Sequence, residues 1–291
     1  MSNTAHHLSF PPDDRLNAPN ELRGCQLVML RLLRIFDAIC TELGLQYWLE
    51  GGTLLGAVRH GGFIPWDDDL DVAMLNRDYE RFLHEAPCYL PEDVFLQHKG
   101  SDQDYDIPFA KLVDRYSLIE LHNGKENRAL SGIFIDIQSM DLFTDRQKAA
   151  RTLLWALHGD YGRPDPSRGI KRNLKRAALT VFRTAARLSF FDRALDSFCA
   201  YGAPKWLAYD LSFQRWWPIF LTIDAVFPLQ TIQFEGYTFP APREIDTYLR
   251  VQFGDYMTLP SVEERRPVHL GGIHLTGPNP HPQALRWKHH P

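Results

Sequence analysis

Long apolar runs are missing from this chain. Nowhere do about 18 consecutive apolar residues occur, so no transmembrane helix is expected. Cysteine is scarce and scattered. Cys25, Cys40, Cys88 and Cys199 form no C-x-x-C pair, which excludes a disulfide scaffold and reads as small buried hydrophobes in a reducing compartment. Neither charge dominates: 32 Lys+Arg against 36 Asp+Glu leave a net charge of −4, which argues against a chain-wide surface for nucleic acid. The opening MSNTAHHLSFPPDDRLN has no basic stretch followed by an apolar one, so no secretory signal is expected and the expected location is cytoplasmic. What remains is an ordinary globular balance, 44% apolar, 12% aromatic and 23% charged, over a length that can bury a sizeable core.

Residues 1–16 are polar and Pro-containing and read as a flexible leader. Leu22, Met29, Leu33, Phe36, Cys40 and Leu43 then recur at helical spacing until Gly44. Strands are predicted at 45–50, 69–74, 94–98, 109–114, 117–121 and 132–138, with short helices at 53–59 and 77–86, Asn76 capping the latter. Residues 142–225 look helical and read as an insertion, after which 234–239 and a helix at 243–253 return to the earlier style. The expected fold class is α/β, a mixed α+β sheet flanked by helices, forming one catalytic domain over 17–268. The Gly-, Pro- and His-rich residues 269–291 are expected to fray, since their histidine spacing fits no common zinc pattern.

Chemistry concentrates in Glu50–Met74, EGGTLLGAVRHGGFIPWDDDLDVAM. A strand ending in Gly51-Gly52-Thr53 and opening a helix lets backbone N–H groups approach an anion, although it can equally be a tight turn. In Asp67-Asp68-Asp69-Leu70-Asp71, strand alternation turns Asp69 and Asp71 to one face and Asp68 to the other. Paired carboxylates repel unless a cation or proton lies between them. Embedded in apolar sequence, they favour a Mg²⁺ or Mn²⁺ site over a solvated acidic turn. Asp136 stands alone in the apolar strand GIFIDIQ and needs a partner, either a core salt bridge or the same metal.

Gly-Gly, D-x-D and a later single Asp form the pattern of the nucleotidyltransferase fold. The words YWLEGGTLLGAVRHGGFIPWDDDLDVAM at 47–74, FAKLVD at 109–114, GIFIDIQSMD at 132–141 and FEGYTFPAPREIDTYLRVQFGDYMTLP at 234–260 resemble the LicD family of phosphocholine and phosphodiester transferases, related to the fukutin-related proteins. Where that family carries a more apolar run after the third Asp, this chain reads Gln138-Ser139-Met140. The resemblance implies transfer of a substituted phosphate from a CDP-linked donor to a glycan hydroxyl, with CMP leaving. It implies Mg²⁺ or Mn²⁺ held by Asp69, Asp71 and Asp136, a donor-phosphate loop of Gly51, Gly52 and Thr53, and Lys111 as a point charge near the phosphates. Arg59 and His60, between the two motifs, could meet phosphate or acceptor; Phe63 and Trp66 could stack on a base or belong to the core. The alternatives are a nucleotidyltransferase releasing pyrophosphate, a D-x-D glycosyltransferase, and a non-catalytic nucleotide-binding homologue. The basic stretch 168–188 fits either a helix on an anionic membrane, suited to a lipid-linked acceptor, or one docked on the domain with its charges solvated.

Overall fold

The computed structural model describes residues 8–121, 130–158, 199–209, 219–267 and 270–275. The basic stretch 168–188 and most of the His-rich tail lie outside them. Contacts divide the chain into two compact units, one made of Met1–Ser139 with Ala225–Pro291 and the other of Met140–Asp224.

In the first unit, helix α1 (Glu21–Leu43) starts where the Asn20 side chain accepts the Arg23 N–H and stops where Gly44 turns left-handed at φ 63°. Its apolar face, including Met29, Leu33 and Phe36, is fully buried. The central sheet runs β1 (Tyr47–Leu49), β2 (Asp71–Leu75), β7 (Phe134–Phe143), β4 (Ala110–Asp114), β3 (Val94–Gln97). β4 pairs antiparallel with β7 and sets Lys111 opposite Asp136. Helices α2 (Gly51–His60) and α3 (Asn76–Glu85) pack against β2. A mixed sheet flanked by helices, the expected α/β class, is what forms.

Several expectations need correction. Asn76 is the first residue of α3 and not its cap; its side chain instead accepts the Ser139 hydroxyl at 2.9 Å. The end of the leader is tied down, because the buried Arg15 guanidinium grips Asp114 at 2.6 and 2.8 Å. Residues 234–239 are a corner, not a single piece: Glu235 (φ 52°) and Gly236 (φ 80°) turn β10 (Gln230–Phe234) into β11 (Tyr237–Ala241). Leu270–Leu275 does not fray but forms β12, which pairs with β5 (Ser117–Leu121) beside β6 (Leu130–Ser131). Helix α6 (Ile245–Phe253) starts two residues later than predicted.

The second unit is not purely helical. Besides α4 (Asp145–His158) it holds the end of β7, which pairs with β8 (Trp206–Tyr209), and β9 (Leu221–Thr222) beyond it; α5 (Ile223–Val226) leads back to the first unit. Leu207, Ala208 and Tyr209 are buried in succession on β8, so no alternation of apolar and polar residues announced the strand in sequence. No helix among the described residues is long and apolar enough to cross a membrane.

Candidate active site

The site grows from the junction of β1 and α2. Glu50 leaves β1 in extended backbone and its N–H donates to the Asp71 carbonyl at 3.1 Å. Gly51 turns at φ 52°, a conformation that costs a side-chain-bearing residue strain. A Cβ there would lie 3.4 Å from Asp71 Oδ2, and one at Gly52 would lie 3.1 Å from Asp67 Oδ2. The two glycines thus bring the positive end of α2 against the acidic segment. Thr53 is buried, and its hydroxyl oxygen accepts the Asp71 N–H at 2.8 Å. Its visible job is to position Asp71.

The returning loop, residues 61–70, is held from outside itself. Gln26 on α1 donates its amide to the Ile64 and Asp67 carbonyls at 3.4 and 3.0 Å. Glu235, in the β10–β11 turn, accepts the Phe63 N–H at 3.0 Å and an ion pair from Arg23 at 2.6 Å. Phe63 is buried and edge-packed on Phe234, which makes it core. β2 begins only at Asp71, so Asp67–Leu70 lie outside the strand whose alternation was expected to sort the acids. Asp68 does not face away: one oxygen from each of Asp67, Asp68 and Asp69 lies within 4.8 Å of the others.

Asp71 and Asp136 meet across neighbouring strands, the Asp136 N–H donating to the Leu70 carbonyl at 2.8 Å. Burial first, then the charges of Asp69, Asp136 and Glu50, push the Asp71 pKa well above the usual carboxylate value. A hydrogen bond from Gln138 Nε2 at 2.9 Å opposes this. Lys111 stands opposite Asp136, its ammonium 2.5 Å from Asp136 Oδ1 and 3.2 Å from the centre of the Phe134 ring. Burial lowers the Lys111 pKa while Asp136, Asp71 and Asp69 resist. Asp71 therefore feels three other carboxylates, and Lys111 is the ammonium set among them. The donors are all hard oxygens, a set that suits Mg²⁺ or Mn²⁺.

Arg59 and His60 end α2. The Arg59 guanidinium donates to the Tyr256 carbonyl at 3.1 Å, and His60 is exposed with its ring edge-on to Trp66 at 6.1 Å. Burial, then the Arg59 charge, lower the His60 pKa.

Against known proteins, residues 44–110 match the family model described as LicD/FKTN/FKRP, nucleotidyltransferase domain. Lipopolysaccharide cholinephosphotransferase LicD of Haemophilus influenzae is 30% identical over 267 residues, covering 86% of this chain and 96% of that protein. The chain belongs to the LicD family. Human ribitol 5-phosphate transferase FKRP is 43% identical over 85 residues, 28% of this chain and 17% of its own length. As a LicD-family member the chain is a transferase of phosphate-containing groups.

Lys111 and Asp136 lie beyond the family-model match, and only the sheet brings them to its acids. Two residues at the LicD-family site escaped sequence reasoning. Glu50 is fully buried, its carboxylate taking the Trp48 indole N–H at 3.1 Å and further hydrogen bonds from Tyr248 and Gln252 on α6. The argument that flagged Asp136, a lone acid at an apolar strand, applies equally to WLEGG. Gln138 sits two residues beyond Asp136 on β7 and therefore on the same face, a relation that strand alternation makes readable.

Proposed function

We propose that this chain moves a substituted phosphate, phosphocholine or a close relative of it, from a CDP-linked donor to a hydroxyl of a cell-surface glycan, releasing CMP. The observation that carries the reading is the surplus of negative charge around Asp71: Glu50, Asp69, Asp71 and Asp136, with Lys111 as the ammonium seen among them in the described residues. We assign Asp69, Asp71 and Asp136 as ligands of Mg²⁺ or Mn²⁺. When bound, such an ion neutralises the charge that builds on a transferring phosphate and orients it.

The chain's own residues do the rest. Gly51 and Gly52, with Thr53 behind them, offer the N–H groups of a helix start to the donor phosphates. Lys111 adds a point charge, and Arg59 and His60 line the rim. The acceptor oxygen forms a new P–O bond as the P–O bond to CMP breaks, CMP taking that electron pair. The hydroxyl proton passes to a carboxylate of the set. The relatives' names support the transferred group and the acceptor: choline phosphate and lipopolysaccharide for one, ribitol 5-phosphate for another. We further propose that the reaction is cytoplasmic and that its acceptor is lipid-linked at the inner face of the membrane.

Incubation with Mg²⁺ and CDP-choline, CDP-ethanolamine, CDP-glycerol or CDP-ribitol tests this. CMP released with metal and suppressed by EDTA is the expected result. Pyrophosphate released from a nucleoside triphosphate would point instead to nucleotidyl transfer. No turnover of any donor would leave a nucleotide-binding homologue without catalysis.

A further inference from the structure

Several arginines of the described structure pair with carboxylates: Arg15 with Asp114, Arg23 with Glu235, Arg31 with Asp93 and Arg250 with Asp246. Two at the rim of the site do not. Arg59 is held by the Tyr256 carbonyl and Arg265 by the Pro260 carbonyl at 3.0 Å, and neither forms an ion pair among the described residues. They are also close to each other. Burial and then the Arg265 charge act to lower the Arg59 pKa, against Asp67. Arg59 Nε is buried with no hydrogen-bond partner. The Arg265 guanidinium lies over Trp66, 5.5 Å from the ring centre, and that ring also meets His60. Two guanidiniums brought together at a half-buried rim, hydrogen-bonded among the described residues to carbonyls and with Asp67 as the carboxylate near Arg59, leave N–H groups for an anionic ligand.

We infer that Arg59 and Arg265, braced by Trp66, form a clamp for a phosphate group. The inference rests on the transfer reading above and deepens it, since it names Arg265 as a substrate-binding residue. The position supports it: Arg59 lies seven residues beyond Gly52, hence on the same face of α2, and both neighbour Asp67. Planar guanidiniums suit a phosphate better than an ammonium would, because each can give two parallel N–H bonds. The phosphate belongs either to the diphosphate of the donor or to a phosphorylated sugar of the acceptor.

Calorimetric titration of the full chain in EDTA tests the clamp without any metal. The probes are CDP for the donor and glucose 6-phosphate for the acceptor. At least one should bind, and binding should weaken about tenfold or more in both Arg59→Gln and Arg265→Gln. Arg265→Lys should fall between wild type and Arg265→Gln, which a fold defect would not produce. Binding of CDP alone assigns the clamp to the donor; binding of glucose 6-phosphate assigns it to the acceptor. A wild-type chain that binds neither, or glutamine variants that bind as wild type does, would overturn the inference. Asp71→Asn should bind the same probe in EDTA at least as well as wild type, so loss of metal-dependent transfer and loss of the clamp remain separable.

Discussion

Replacing Asp71 by Asn should move stability in opposite directions depending on whether a divalent ion is present. The change is nearly isosteric, and Asn Oδ1 can still accept the Gln138 amide that now sits 2.9 Å from Asp71. What disappears is a charge that burial and three neighbouring carboxylates disfavour. The folded Asp71 pKa is raised, so the native state holds its proton at pH values where the unfolded chain has released it. Stability of the metal-free wild type should therefore fall as pH rises above the ordinary carboxylate value through the raised one. At pH 7 in EDTA, Asp71→Asn should melt higher than wild type. Added Mn²⁺ at a hundredfold excess over its dissociation constant stabilises a folded protein by about 2.7 kcal/mol, which in a chain of this size is roughly 4–5 °C. Wild type should show that rise and Asp71→Asn should lose most of it. Differential scanning fluorimetry across pH, with and without Mn²⁺, measures both effects. A wild type indifferent to Mn²⁺, or a variant that melts lower in EDTA, would refute the charge argument.

Arg15→Ala should cost about 3–5 kcal/mol in urea unfolding, because it strands the fully buried Asp114; Asp114→Asn in the same chain should recover part of it. Lys111→Met should abolish turnover and leave Asp136 without its 2.5 Å cation, raising the Asp136 pKa as read by carbon-13 NMR. Tyr248→Phe should remove one hydrogen bond to the buried Glu50 carboxylate, costing about 1.5–3 kcal/mol on denaturation.

The chemistry was readable wherever local pattern and burial agree. An acid inside an apolar strand demands a partner, so Asp136 could be tied to the D-x-D before any strand order was known. Alternation misled at Asp68, because it presumes a strand and β2 begins only at Asp71, while the loop before it hangs from Gln26 and Glu235. Those tethers come from 41 and 172 residues away in sequence, and no local signal announces them. Arg15 was lost for a similar reason: a polar, Pro-containing stretch reads as loose until a buried Asp114 is found waiting for it. Arg59 and Arg265 could each be noticed in the sequence, but their proximity to one another could not.

Glu235 ties the turn between β10 and β11 to the loop that carries the acids. Through Arg23 and the Phe63 N–H it fastens that turn to α1 and to the loop leading to Asp67–Asp69. A fragment trimmed to the stretch that matches the family profile would keep the Gly-Gly and D-x-D words yet lose the anchors that shape them. Attempts to express that stretch as a minimal enzyme should fail, because Gln26, Lys111, Asp136 and Glu235 all lie outside it.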